Sequence, residues 1–421
     1  MLGKILTFTD SRTAARTKPS DLTVTFVTTP GDGSCGIGTY TSDLLNHLDV
    51  DTETVHIPQD DRSVSRFVSL AFQVFRAGGD VVHFQHEYGL FRREGSKYPG
   101  LMGLVFFPLV FLLSSLRGRP VVVTMHSVLT SQAGEASFSV RLYLLCMHKL
   151  LATGASHLIF LSPNCATAFR TDIDPDSSTY SGLPHGVKRD IPDVQRDLTR
   201  RRLGYDSDDK VVAIPGFVRP PKGHDIFVEI ARRLPEFEFL VAGGARPEGD
   251  DFEFAERIRT DAPDNVPVTG PLDEDEYWAT LATPDLAVLP YRVVTQSGTF
   301  NACASRELPV LASDVDYFTR IQSKWGAPET VDITDVDAVV DRVRALVEDE
   351  SRRRELADAI RQYKRANSFE RVGTIHCRIY TRIVDDSFET STNTEMPSQP
   401  NADSTTPQVG ACSAQRSVST D

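Results

Sequence analysis

The chain has 421 residues, a length that corresponds to about two domains of ordinary size plus terminal segments. Hydrophobic residues make up 40% and aromatic residues 9%, which excludes a fibrous or wholly disordered protein. The net charge of −13 argues against an extended nucleic-acid-binding surface, because a negatively charged protein repels the phosphate backbone. Six scattered cysteines without a CxxC pair argue against a zinc site and favour a reducing, cytoplasmic compartment.

The basic residues are overwhelmingly arginine. An acidic surface that is poor in lysine is typical of salt-accumulating microbes such as haloarchaea, in which negative charge keeps proteins soluble. A GC-rich genome, whose codons favour arginine, explains the same bias, so both explanations stay open. The first residues contain no apolar core of the length of a signal peptide, which agrees with a cytoplasmic protein.

In chain order, a flexible tail is predicted over residues 1–20 and a first domain over residues 21–190. Apolar runs alternate there with amphipathic stretches, which is the pattern of βαβ units and predicts a doubly wound parallel sheet. The predicted strands are 22–28, 81–85, 121–126 and 157–162. A helix is predicted over residues 38–48, directly after a glycine-rich loop.

The glycine-rich loop is the first candidate binding element. Gly36 and Gly38 lie where a strand passes into a helix, and glycine there lets the backbone and the helix N-terminus approach a diphosphate. Gly31-x-Gly33-x-x-Gly36 also fits the dinucleotide fingerprint. That match is weak, because the Asp32 carboxylate would repel a pyrophosphate and no acidic residue directly closes the second strand, which is read in the segment TETVHIPQD (residues 52–60).

Polar residues end the next predicted strands. His86 and Glu87 follow one buried run, and His126 ends another. Because the carboxyl ends of parallel strands meet at one edge of a sheet, these side chains are candidates for a ligand-binding cleft. His185 is interpreted instead as a structural residue near the hinge.

One apolar run, from Leu101 to Leu116, is shorter than the roughly 20 residues that span a bilayer and contains Pro108. It is interpreted either as a buried helix packed on the sheet or as a patch that makes peripheral contact with a membrane carrying the acceptor. Both interpretations stay open.

After an interdomain hinge within residues 182–208, a second domain is predicted over residues 191–366. It repeats the architecture, with predicted strands at 210–217, 239–242, 286–290 and 310–312. Residues 367–386 are strongly helical, and residues 387–421 are polar and of low complexity, as expected of a disordered tail.

Two loops of the second domain are candidate phosphate sites. In the first, Arg219 and Lys222 stand at the start of a helix, where the macrodipole disfavours cations unless an anion binds there. The second loop follows an apolar strand and opens another helix, so its hydroxyl groups and amides suit phosphate. The candidates in that loop are Thr295, Gln296, Ser297, Gly298 and Thr299.

In these motifs the chain resembles the retaining GT-B glycosyltransferases of family 4. The resemblance covers residues 21–383 and rests on an ordered set of segments, among them GIGTYTSDLL, HFQHEYGLF, VVVTMHS, PHGV, GFVRPPKGHDIF and TQSGTFNACASRELPVLASD. It implies an α/β protein of two Rossmann-like domains that face each other across a cleft. It also implies a final helix that crosses back to the first domain.

The resemblance implies transfer of a sugar from a UDP- or GDP-linked donor to a glycan, glycolipid or lipid-linked acceptor, with retention at the anomeric carbon. His126 would lie beside the donor sugar as the catalytic residue, while Gly36 and Gly38, Arg219 and Lys222 would approach the diphosphate. The loop 295–299 would add backbone amides, and no cofactor or metal is expected.

The chain departs from the family pattern at several positions. Two glutamates that many members carry ahead of Pro309 are Val294 and Ala302 here, and Glu307 replaces a glycine. An arginine that often follows the glycine of the phosphate loop is Phe217. These departures leave the donor sugar undetermined, and a non-catalytic GT-B binding protein stays open as a second hypothesis. A sugar-nucleotide epimerase and an NAD-dependent oxidoreductase stay open as well, although no hydride-site Tyr-x-x-x-Lys pair is present.

Overall fold

The computed structural model describes residues 17–33, 35–59, 61–93, 96, 98–131, 137–177, 179–245 and 251–394. The predicted tails, 1–20 and 387–421, lie mostly outside these residues. Two parallel sheets, of six and five strands, organise the rest of the chain. The predicted α/β class with two doubly wound domains is therefore confirmed.

The first sheet has the strand order β2-β1-β3-β4-β5-β6, and all its pairs are parallel. Its strands are β1 (Thr23–Thr28), β2 (Asp51–His56), β3 (Val81–His86), β4 (Val121–Met125), β5 (His157–Phe160) and β6 (Tyr180–Gly182). The helices between them are α1 (Gly36–Leu45), α2 (Val64–Arg76), α3 (Gly103–Ser115), α4 (Phe138–Gly154) and α5 (Pro163–Asp172). β3 and β4 are buried along their whole length, as expected of central strands covered on both faces.

The second sheet has the order β11-β10-β9-β7-β8. Its strands are β7 (Val211–Pro215), β8 (Glu238–Ala242), β9 (Leu286–Leu289), β10 (Val310–Ser313) and β11 (Glu329–Val331). The helices of this half are α6 (Arg196–Arg202), α7 (His224–Arg233), α8 (Phe252–Asp261), α9 (Glu274–Leu281), α10 (Gly298–Ser305), α11 (Asp316–Trp325), α12 (Val336–Glu348) and α13 (Glu350–Ala366).

The last helix, α14 (Phe369–Thr394), packs against the first domain. Phe369, Val372 and Tyr380 are buried in one core with residues of β1 and α1. The Tyr380 hydroxyl bonds to Nδ1 of His83 in β3 at 2.6 Å. Apolar burial and one buried polar contact together fix the helix across the first sheet.

The run from Leu101 to Leu116 forms α3, which lies between α2 and α4 on the other side of the first sheet. Phe106 and Phe107 contact Phe84 of β3, so the inner side of the helix is packed on the sheet. Its outer side keeps Leu112 and Leu116 exposed, at 59% and 71%. Within the described part of the chain, no helix combines the length and hydropathy needed to cross a bilayer.

Candidate functional site

The loops of the second domain meet where its strand order changes direction. β7 lies in the sheet between β8 and β9. The loops that follow β7 and β9 therefore turn to opposite faces of the sheet and leave a crevice between them, at the carboxyl ends of the two strands. Lys222 follows β7, Thr299 follows β9, and Lys222 Nζ donates to Thr299 Oγ1 at 3.2 Å. The structure thus brings together two motifs that lie 77 residues apart.

Gly216 forms the floor of this crevice. Its φ is +95°, in the left-handed region that favours glycine. A Cβ atom added there would lie 2.7 Å from Lys222 Nζ and 2.9 Å from Thr299 Oγ1. Because residue 216 is glycine, no side chain fills the space between its backbone and the Lys222 ammonium group and Thr299 hydroxyl.

The helix α10 begins at the same place. Ser297 accepts a hydrogen bond from the Phe300 amide at 3.0 Å and caps the helix, and a Cβ on Gly298 would meet no atom within 4 Å. An open helix N-terminus beside an ammonium group is a favourable position for an anion, because both carry positive charge.

Arg219 lies in the same turn, but its guanidinium is engaged elsewhere. Its Nε donates to a carboxylate oxygen of Asp251, at the start of α8, at 2.8 Å. The Arg219 side chain is 37% exposed, so solvent weakens this ion pair. A phosphate would compete with Asp251 for the guanidinium.

On the first domain, His126 follows β4 and is buried, at 3% exposure. Its Nε2 bonds to Oε1 of Gln85 in β3 at 2.8 Å, and its Nδ1 lies 3.5 Å from Nε2 of Gln296 in the second domain. Burial, with a smaller contribution from neighbouring histidines, lowers the pKa of His126 to about 3. The imidazole is therefore neutral at physiological pH and stands where the strand ends of the two domains face each other.

In the glycine-rich loop, one glycine lets α1 pack closely on the loop and another leaves the N-terminus of α1 open. A Cβ on Gly38 would lie 1.8 Å from the Pro30 carbonyl oxygen, so Gly38 is required for α1 to pack on the loop. A Cβ on Gly36 would meet no atom within 4 Å. Gly36 is the position at which a ligand can approach the start of α1.

His86 and Glu87 differ in their surroundings. The His86 ring packs among aromatic rings that include Phe91 and Phe107, and burial lowers its pKa to about 3. Burial raises the pKa of Glu87, which is hydrogen-bonded to Ser127. The structure thus places His86 in the core of the first domain, while Glu87 stands beside the loop that carries His126.

Several residues that join the two domains were not assigned a role from the sequence. Asn301 of α10 donates from Nδ2 to Nδ1 of His185 at 2.9 Å. Lys188 binds Asp43 of α1 at 2.9 Å and Glu274 of α9 at 2.8 Å, so it bridges the two halves. His185, interpreted from the sequence as structural, therefore lies at the interdomain contact.

The positions of the two missing glutamates are apolar in the structure as well. Val294 and Ala302 are partly buried and pack against the second core. Glu307 adopts a φ of +57°, and its carboxylate accepts hydrogen bonds from Arg361 and Lys364. Glu307, which stands where the family pattern has a glycine, is thus bound through its carboxylate to two basic side chains of α13.

Comparison with known proteins connects this geometry to a family. Residues 195–365 match the family model described as Glycosyl transferases group 1. The chain is 29% identical over 224 residues to a GDP-mannose-dependent monoacylated alpha-(1-6)-phosphatidylinositol monomannoside mannosyltransferase of Corynebacterium glutamicum, covering 46% of this chain and 54% of that protein. It is 28% identical over 169 residues to the alpha-galactosylglucosyldiacylglycerol synthase of Streptococcus pneumoniae, covering 38% and 45%.

The chain thus spans about half the length of the curated relatives it matches. The sucrose-phosphate synthase of Thermosynechococcus elongatus shares the fold, with a TM-score of 0.67, 18% identity and coverage of 87% of this chain and 100% of that one. The crevice at Gly216, Lys222 and Thr299 lies within the matched segment. Residues 195–365 thus match the Glycosyl transferases group 1 model, and the chain has the two-sheet fold of the GT-B glycosyltransferases.

Proposed function

We propose that the protein is a retaining glycosyltransferase that moves a sugar from a UDP- or GDP-linked donor to a glycan, glycolipid or lipid-linked acceptor. The observation that carries the proposal is the convergence of Lys222, Thr299 and the N-terminus of α10 over Gly216. A diphosphate bound there would find an ammonium group, a hydroxyl and a helix dipole within one open crevice.

The same groups support transfer without a bound metal. The leaving diphosphate carries the charge that develops in the reaction, and fixed cations and amides stabilise such charge in place of a metal ion. Among the described residues, one group of metal-ligand type brings together His47, Asp190 and Glu370. Those residues belong to the contact between α1, the hinge and α14, apart from the loops that carry Lys222 and Thr299.

In the proposed reaction, His126 lies beside the donor sugar as a neutral hydrogen-bonding group. The leaving phosphate would take the acceptor proton from the same face of the sugar, which gives retention. Glu87, whose pKa burial raises, would face the acceptor.

The direct test is turnover of UDP- and GDP-sugars, followed as release of the nucleotide, with the product anomer identified by NMR. Lys222→Ala should lower kcat/KM roughly 100-fold, the scale of losing one charge-stabilising group. Lys210→Ala is the matched control, because Lys210 is an exposed lysine in the same domain. Equal activity of wild type and Lys222→Ala, or reduction of NAD by the protein, would refute the proposal in favour of another enzyme class.

A second observation bears on the acceptor. Residues 62–171 contain eleven Lys and Arg against four Asp and Glu, a net charge of +7 in a chain whose total is −13. The helices α2, α3 and α4 contain no acidic residue. Seven of the ten exposed large hydrophobic side chains on described residues also fall in residues 62–171, including Leu112, Leu116 and Phe138.

A basic, apolar face on an acidic protein fits the surface of an anionic bilayer, where apolar groups insert and cations meet lipid phosphates. We therefore include in the proposal that α2–α4 hold the protein peripherally on the inner face of the membrane, with a lipid-linked acceptor. Two curated relatives have names that specify lipid products or substrates, which agrees with this choice.

Cosedimentation with vesicles tests the membrane contact. The protein should bind phosphatidylglycerol-containing vesicles more than phosphatidylcholine vesicles, and the paired change Leu112→Ser and Leu116→Ser should reduce binding at least about tenfold. Phe252→Ser is the matched control, since Phe252 is 62% exposed on α8 of the second domain. Equal binding by both variants would refute the contact, and a loss of self-association by the paired variant alone would assign the face to a second copy of the chain.

A further inference from the structure

The side chains around His126 leave specific polar atoms without partners. Gln85 is fully buried in β3, and its Oε1 bonds to His126 Nε2 at 2.8 Å while its Nε2 has no partner among the described residues. Gln296 approaches the other ring nitrogen from the second domain, and its Oε1 is likewise buried without a partner there. Two amide groups, one from each domain, therefore bracket the imidazole.

The bond to Gln85 decides which nitrogen of the ring carries the proton. A neutral imidazole has one donor and one acceptor nitrogen, and an amide oxygen only accepts. His126 is neutral because burial lowers its pKa to about 3. Its Nε2 must then hold the proton and donate to Gln85, which leaves the Nδ1 lone pair facing Gln296 and the second domain.

The ring is also held from the side. Tyr40 of α1 contacts it edge-on, with ring centroids 5.0 Å apart, and the Tyr40 hydroxyl is buried without a partner in the described structure. The other titratable groups that face the ring are His185 and His86, which lower the His126 pKa, and His83, whose pKa His126 lowers in turn. The surroundings contribute no carboxylate among these groups, so they favour the uncharged imidazole.

We infer that Gln85 is a positioning residue for His126: it holds the imidazole as the Nε2–H tautomer and turns the Nδ1 lone pair towards the donor sugar. This inference rests on the proposed function for the identity of the ligand. The Gln296 amide reaches that lone pair only at 3.5 Å, so a sugar hydroxyl can replace it as the hydrogen-bond donor, whereas a carboxylate would be repelled. The site thereby selects a neutral sugar at the position next to His126, and the unpartnered atoms, Nε2 of Gln85 and Oε1 of Gln296, can pair with neighbouring hydroxyls.

The test reads the tautomer directly, by ¹⁵N NMR of the histidine rings, with His126→Asn to assign the signal. The wild-type protein should show the Nε2–H tautomer throughout pH 5 to 8. Gln85→Leu should produce a mixture of tautomers and lower kcat roughly 10- to 100-fold with little change in KM, the size of loss known for partners that orient metal-ligating histidines. Because the NMR signal needs no substrate, its outcome separates this inference from the proposed function.

Gln85→Glu supplies the second readout. A carboxylate at Nε2 favours the imidazolium and raises the His126 pKa, so kcat/KM of this variant should rise with pH between 5 and 8, whereas wild type stays flat. Thr124→Val is the control, because it removes a buried hydrogen bond that does not involve His126. Thr124 of β4 is buried and bonds to His83 at 2.8 Å. This variant should lower Tm and leave kcat unchanged. An unchanged tautomer in Gln85→Leu, or a loss in Gln85→Glu that is equal at all pH values, would overturn the inference.

Discussion

Glu307 occupies a backbone conformation that L-amino acids with a side chain adopt at a cost. Its φ is +57°, and its carboxylate is 30% exposed between Arg361 and Lys364. Partly exposed ion pairs contribute little, about 0–1 kcal/mol. The left-handed conformation costs a residue with a Cβ about 1–2 kcal/mol relative to glycine. The two effects are of similar size, so Glu307 is tolerated rather than stabilising.

Replacement by two small residues separates these effects. Glu307→Ala loses the ion pairs and keeps the conformational cost, whereas Glu307→Gly loses the ion pairs and removes that cost. Glu307→Ala should therefore be about 1 kcal/mol less stable than Glu307→Gly in urea unfolding. Equal or reversed stabilities would show that this conformation carries no strain.

At the same scale, part of the geometry of the candidate site was predictable from the sequence. Lys222 and Thr299 could be placed in one crevice because both follow buried parallel strands, whose carboxyl ends meet at one edge. The contact of Gln85 with His126 could not, because it depends on side-chain orientation in neighbouring strands. The pairing of Arg219 with Asp251 was missed for the same reason, because the direction of the Arg219 side chain is not encoded in the strand pattern.

Among the elements, α14 buries histidines where it packs against the first sheet. The His376 ring stacks on His83 of β3, and burial lowers the pKa of His376 to about 4. On β5, burial and the neighbouring Arg382 lower the pKa of His157 to about 4. The unfolded chain binds protons at these rings near pH 6.5, so below that pH it takes up protons that the folded protein excludes.

The free energy of unfolding should therefore fall as the pH drops from about 6.5 towards 4. Above pH 6.5 these histidines are neutral in both states, so they add no further pH dependence. His376→Leu removes one such group together with the bond from its Nδ1 to the Val372 carbonyl at 2.8 Å, while its Nε2 has no partner to lose among the described residues. That variant should show a shallower decline of Tm between pH 6.5 and 4.5 and a similar Tm at pH 8. An unchanged slope would exclude His376 as a source of the pH dependence.

The elements themselves were predicted unevenly. The central strands β4, β7 and β9 are almost entirely apolar, which the sequence reveals directly, whereas β3 alternates apolar residues with His83 and Gln85. β6 and β11 were not predicted, because each has three residues and so shows no periodicity. The run that forms α3 is apolar on both sides, so its pattern gave no information about which side faces solvent.

For the whole molecule, the two domains meet through contacts from both sides of the cleft. Asn301 binds His185 and its backbone, and Lys188 connects α1 with α9. These contacts hold His126 opposite the loop that carries Gln296. The two-domain arrangement was predictable from the repeated strand pattern, but the residues that join the halves were not, because they pair across 86 to 145 positions.

The central claim, that the second domain binds a nucleotide-diphosphate sugar at Lys222, is tested most directly by thermal stability. Wild type, Lys222→Ala and Lys210→Ala would be heated in high-salt buffer with UDP, GDP, ADP or NAD, because a ligand of the folded state raises Tm. A rise with UDP or GDP in wild type and Lys210→Ala, absent in Lys222→Ala, is the predicted result and also identifies the donor base. A rise with NAD alone, or no rise with any nucleotide, would contradict the claim.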